Sequence, residues 1–204
     1  MANVGPPRDP VEAWERAFRD QFRNLVAFAR ENGCLLSRKD LPGRDFGRGG
    51  MEHQVFHESR GHRFWKATFP NQAGFGPAGY STPVGYLHRL RLSNRIFGDD
   101  VRFEGIWNQR DGPSIVTSQR YILPEPGGGM PEEDEVAKYL QELGFTWNEK
   151  LGGWVRDKDE ALVQDAHPRN FIKSIDGLIY AIDVQPRLPK GREIKEALPH
   201  PRRD

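Results

Sequence analysis

The chain is poor in thiols, in charge of one sign and in long apolar runs. Cys34 is the single cysteine among 204 residues. One thiol closes no internal disulfide and builds no zinc–thiolate site, and such thiol poverty fits a reducing compartment. Lys and Arg total 30 against 29 Asp and Glu, a formal charge of +1. No global positive field exists to hold nucleic acid regardless of its sequence, so no strong nucleic-acid signal is read. No stretch approaches the ~18 apolar residues of a membrane span. The first residues, Met1 to Pro7, lack a basic segment followed by an apolar run, and the expected location is the cytoplasm. What is plentiful is turn chemistry. With 22 glycines and 16 prolines, the elements should be short and the loops many. A hydrophobic fraction of 36% and an aromatic fraction of 11% still supply a core. The length suits one domain or two small lobes.

Periodicity sets out the elements. Asp9 can cap and Pro10 suits a first helical position. Val11, Trp14, Phe18, Phe22, Leu25 and Ala29 then recur at three- and four-residue steps, which predicts a helix stopping near Gly33. Residues 41–50 are rich in Gly and Arg. Residues 54–56 and 63–68 read as two strands, 83–97 as a second helix, and 101–107 with 114–119 as a second hairpin. The Pro- and Gly-rich stretch 124–131 is the best boundary between lobes. Residues 132–143 read as a short helix, 145–160 as irregular with Trp147 and Trp154, and 187–204 as a charged, proline-punctuated tail.

Most chemical information lies between Ala161 and Pro186. Phe171-Ile172 and Leu178–Ile182 are apolar runs bracketing an Asp-Gly turn at Asp176-Gly177. Asn170 therefore enters one strand of a hairpin and Asp183 leaves the other. A hairpin holds its open ends about 5 Å apart, so an amide and a carboxylate meet at one mouth, with Asp165 just upstream. Oxygen donors of this kind suit magnesium, which keeps waters and substrate phosphates in its shell. A further carboxylate, Asp165, can orient an attacking hydroxyl. His53 and His57 flank a strand with no third ligand, so no zinc site is expected there. Arginines 38, 44, 48, 60 and 63 read as a solvated surface.

The run Asp165-Ala-His167-Pro-Arg-Asn170, followed 13 residues later by Asp183, resembles the catalytic and metal-binding segment of protein kinase-like phosphotransferases, in its aminoglycoside-kinase form. Together with Gly49-Gly-Met-Glu-His53, Leu92-Ser-Asn-Arg-Ile-Phe-Gly-Asp-Asp100 and Gly112-Pro-Ser-Ile-Val-Thr-Ser-Gln119, it resembles the kinase domain of bacterial and phage polyvalent proteins over roughly residues 41–187. The resemblance implies an α+β, reduced two-lobed protein kinase-like fold, with a β-rich N-lobe over residues 1–122 and a small C-lobe over 123–204. The nucleotide would sit between the lobes. It implies ATP and Mg²⁺ as cofactors, Asp165 as the catalytic aspartate, Asn170 and Asp183 as metal ligands, and His167 as a structural member of the loop. Gly47, Gly49 and Gly50 would cover the phosphates and Lys66 would position them. The strand ending at Ser118 and Gln119 would enter the hinge that receives adenine.

Two departures from that pattern matter. The helix at 83–97 offers no acid to pair with Lys66, which leaves Glu52 or Glu104, with Glu52 preferred. Few residues follow Asp183, too few for a peptide platform of the usual kind. The expected function is an ATP- and Mg-dependent phosphotransferase acting on a hydroxyl of a small molecule or protein. The alternative is a pseudokinase or nucleotide-binding interaction module of a mobile-element protein, working through a protein partner.

Overall fold

The computed structural model describes residues 9–43, 45–49, 52–58, 62–74 and 81–189, the side chains of Pro10 and 45–49 excepted. The predicted glycine-loop residue Gly50 and the end of the predicted tail, 190–204, lie outside the described residues. The chain divides into two compact units. The first runs to His88 and adds Asp100–Tyr121; the second takes Arg89–Asp99 and the chain from Ile122 onward.

In the first unit, α1 spans Pro10–Glu31. The Asp9 carboxylate accepts from the Val11 amide at 3.0 Å, which satisfies one of the unpaired donors at the helix start. The four-residue spacing brings Trp14, Phe18 and Phe22 together in sequence, with ring centroids about 5 Å apart, the first pair tilted and the second edge to face. Ala29 is fully buried, and its carbonyl accepts from Cys34 at 2.8 Å as the chain turns through Gly33. A two-residue strand follows, β1 at Leu35–Leu36.

The remaining strands of this sheet are β2 (Asp45–Gly49), β3 (His53–Glu58) and β4 (Arg63–Thr68); then, after helix α2 (Pro83–Phe97), β5 (Arg102–Gln109) and β6 (Gly112–Arg120). Their order across the sheet is β1-β5-β6-β4-β3-β2. All pairs are antiparallel except β1 with β5. Strand alternation sends Phe56, Trp65, Ala67 and Val116 to one face, where Leu41, Leu36 and Trp107 complete an apolar core. The opposite face carries a ring cluster of His57, Phe64 and Tyr121. His53 lies on that same face, and its Nε2 meets the Tyr86 hydroxyl of α2 at 2.9 Å.

α2 forms where the sequence reading put it, but its two ends serve different cores. The sequence reading gives it wholly to the N-lobe. Residues 89–99 cluster instead with the second unit, whose core takes Ile96, Leu92 and Phe97.

The second unit continues with α3 (Glu133–Glu142), β7 (Thr146–Asn148), β8 (Gly153–Arg156), β9 (Ala161–Gln164), β10 (Phe171–Lys173), β11 (Ile179–Ala181) and β12 (Gln185–Arg187). Val136 and Leu140 of α3 bury against Val163, Phe171, Ala181 and Val184. A four-stranded sheet runs β12-β9-β8-β7, and β10 pairs β11 separately. Residues 145–160, expected to be irregular, form the β7–β8 hairpin, with Trp147 directly opposite Trp154. Residue 187, expected in the tail, pairs with β9 instead.

The Pro/Gly segment 124–131 is strapped down. Pro124 bridges Ser174, Glu125 donates to the Lys173 carbonyl at 3.0 Å, and Lys173 donates to the Gly129 carbonyl at 2.6 Å. Gly129 has φ +69, and a Cβ there would stand 2.5 Å from that of Pro124 and 2.7 Å from the Lys173 oxygen, so only glycine fits.

Candidate active site

Two ladders converge on the segment that the sequence singled out. In the first, Phe171 pairs with Ala181, and the bond from the Ile182 amide to the Asn170 carbonyl, at 2.9 Å, carries that pairing one step further. Asp183 is the next residue. In the second, Gln164 of β9 pairs with Gln185 of β12. Asp165 comes one residue after Gln164, and Asp183 two residues before Gln185. Asp165, Asn170 and Asp183 are thus delivered to one end of the second unit by paired backbone on both sides.

The loop between β9 and β10 is closed by its own side chains. His167 caps a single 3₁₀ turn, Pro168–Asn170, its Nδ1 accepting from the Arg169 amide at 3.3 Å. The Asn170 amide donates to the His167 carbonyl at 2.8 Å. Asn170 Nδ2 then reaches back to the Asp165 carbonyl, also at 2.8 Å. Asp165 itself sits at φ +54, the left-handed region that costs a residue with a Cβ some energy and that Asp tolerates better than most. The loop needs this conformation to turn sharply out of β9 and bring Asn170 back onto Asp165.

The donor set suits magnesium. With its nitrogen committed to Asp165, the Asn170 side chain has its carbonyl oxygen left for a cation. Asp183 is exposed, and among the described residues it has no ion-pair partner. No group of three or more His, Cys, Asp or Glu that could hold a metal exists among the described residues. A carboxylate and an amide oxygen fit an ion that completes its shell with water and phosphate, rather than one caged by protein.

Lys66 stands at the middle of β4, between Val55 of β3 and Thr117 of β6. Gly47 and Gly49 lie in β2, which pairs with β3 through a register shift between Asp45 and Arg48. Glu52 directly precedes β3, its carbonyl accepting from the Phe69 amide at 3.2 Å. Glu104 lies at the irregular step of β5 and accepts the Ser118 hydroxyl proton. Arg63 donates through Nε to the same Ser118 oxygen at 2.8 Å and through Nη1 to Asp100 at 2.6 Å. The Ser118 side chain is fully buried and committed to holding Arg63 and Glu104, a sheet-fixing role. Gln119, next along, is buried too.

Sequence reasoning passed over a groove in the second unit. About 320 Å³ opens beside the β9–β10 loop, lined by Glu133 and Asp134 of α3, Trp147 and Trp154 of the β7–β8 hairpin, and Ala166 and His167. The available signal was the pairing of two tryptophans across Gly152-Gly153, which marks a hairpin.

The chain belongs to the family described as serine/threonine/tyrosine kinases found in polyvalent proteins, whose model matches residues 19–190. No curated protein and no solved structure matches it significantly. The fold is accordingly a small α+β, kinase-like one.

Proposed function

We propose that the protein transfers the γ-phosphoryl group of ATP to the hydroxyl of a serine, threonine or tyrosine, with magnesium. The tethering of Asp165, Asn170 and Asp183 through one loop and two ladders carries this reading; the family's description supplies the acceptor class.

Asn170 Oδ1 and the Asp183 carboxylate would hold the metal, which when bound neutralises phosphate charge. The Lys66 ammonium positions the phosphates. The Asp165 carboxylate orients the acceptor hydroxyl and takes its proton. The acceptor oxygen bonds to the γ-phosphorus while the bond from that phosphorus to the β–γ bridging oxygen breaks, and ADP leaves. Positioning and electrostatics carry such a reaction, since the protein forms no covalent bond.

The test is turnover by variants that still bind nucleotide. Asp183→Asn should abolish magnesium-dependent transfer. Asp165→Ala should lower turnover by ~10²-fold or more, the usual loss for a missing general base, while an ATP thermal shift persists. Full activity in either variant would refute the assignment. A second reading, a nucleotide-binding module without turnover, is favoured by one observation: α2 contains no acid to fix the lysine. A thermal shift with no turnover in the wild-type chain would establish that reading instead.

A further inference from the structure

We propose that the groove beside the catalytic loop receives an arginine side chain of the peptide that carries the acceptor hydroxyl. The inference rests on the phosphotransfer reading and narrows its substrate.

The lining explains the choice. It holds two carboxylates and two indoles but no lysine or arginine, and its single titratable base, His167, has Nδ1 occupied by the Arg169 amide. The cap of α3 is made by Glu132 and Glu135, and Glu135 also takes the Lys173 ammonium at 2.7 Å. Among the described residues, Glu133 and Asp134 have no ion-pair partner. Both carboxylates stand in the first turn of α3, where they complement the helix dipole, and both line the open groove.

The indoles add the second half of the recognition. Trp147 and Trp154 are directly opposed in the β7–β8 ladder and meet edge to face, with centroids 5.8 Å apart and planes at 70°. Trp154 braces Trp147, which stays 52% exposed. The exposed Trp147 indole face is open for a flat group to stack on. A guanidinium is flat, stacks on an indole face and forks onto a carboxylate at once, which an ammonium does less well. The volume is at the small end for ligand sites, ~300–1,000 Å³, and suits one side chain rather than a whole drug-sized molecule. Ala166 and His167 follow Asp165 directly, so a residue seated here belongs to the same substrate as the hydroxyl.

The experiment uses the full chain with Mg-ATP and serine peptides. One arginine is stepped through the positions flanking the serine, and a matched set replaces it with citrulline, which keeps the shape and loses the charge. At one position arginine should lower KM by ~10-fold or more relative to citrulline, the effect of one ion pair with stacking, with kcat changing less. The preference should vanish in Glu133→Gln/Asp134→Asn and weaken in Trp147→Ala. Calorimetric binding of the same peptides to Asp183→Asn reads the groove without turnover. Equal use of both peptide sets, or a preference that survives the double variant, overturns the inference and leaves phosphotransfer standing. Arginine-selective binding without transfer by the wild-type chain keeps the groove and overturns phosphotransfer. Equal calorimetric affinities overturn the groove whatever the turnover.

Discussion

Asp165 shows how much of a site one backbone angle decides. Its φ of +54 is paid for by the fold, and the Asn170 amide at 2.8 Å from its carbonyl is part of what holds it there. Glycine adopts that angle without cost, alanine with more strain than aspartate. Stability by urea unfolding should therefore rank Asp165→Gly at or above wild type and Asp165→Ala ~1 kcal/mol below the glycine variant. An alanine variant as stable as the glycine one would show that the loop is not strained. Sequence spacing put Asn170 and Asp183 at the open end of one hairpin because its apolar runs and Asp-Gly turn are written in side chains. The left-handed turn and the Asn170 clamp depend on the path of the backbone, which spacing does not encode.

At the scale of elements, the segment at 124–131 looks like a linker in sequence and behaves as a strap. Its glycines are placed for different reasons. Gly129 is pressed against Pro124 and the Lys173 carbonyl, whereas Gly177, at φ +78 in the Asp-Gly turn, has nothing within 4 Å of its absent Cβ. Gly129→Ala should cost ~2 kcal/mol or more, strain and overlap together. Gly177→Ala should cost ~1 kcal/mol, strain alone. Denaturant midpoints of the two variants check the order, and equal losses would mean that the strap yields. The long helices and the three hairpins at 53–68, 102–120 and 171–181 were legible, because amphipathic periodicity and turn residues announce them. The short strands were not. β1 has two residues and a parallel partner distant in sequence. β12 contains Pro186, which argues against a strand unless it lies at an edge, and β12 is an edge of its sheet. β7 has only three residues, too few for alternation to register.

Over the molecule as a whole, each unit has a carboxylate held down by arginine. In the first, the hydrogen bond from Arg63 keeps Asp100 below its ordinary value of 3.8, with Arg102 assisting. In the second, Arg156, buried over the Phe145 ring at 4.6 Å, does the same for Asp159. A carboxylate with a depressed folded-state pKa stabilises the fold above its unfolded value and loses that contribution as pH falls through the folded value. These groups therefore contribute in full at neutral pH, where the melting temperature should be flat with pH, and it should drop as pH falls below about 4. Asp159→Asn should flatten part of that drop and lower the neutral-pH melting temperature. An unchanged acid profile would mean that the pair contributes nothing. The tryptophan pair gives such measurements a local gauge. Trp14, Trp65 and Trp107 belong to the first unit, Trp147 and Trp154 to the second. Two indoles 5.8 Å apart at a steep angle couple their strong electronic transitions, so the far-ultraviolet circular dichroism should carry a two-signed couplet that separated rings lack. The smaller sheet thus brings its own optical signature, visible without a label and extinguished when either ring is replaced.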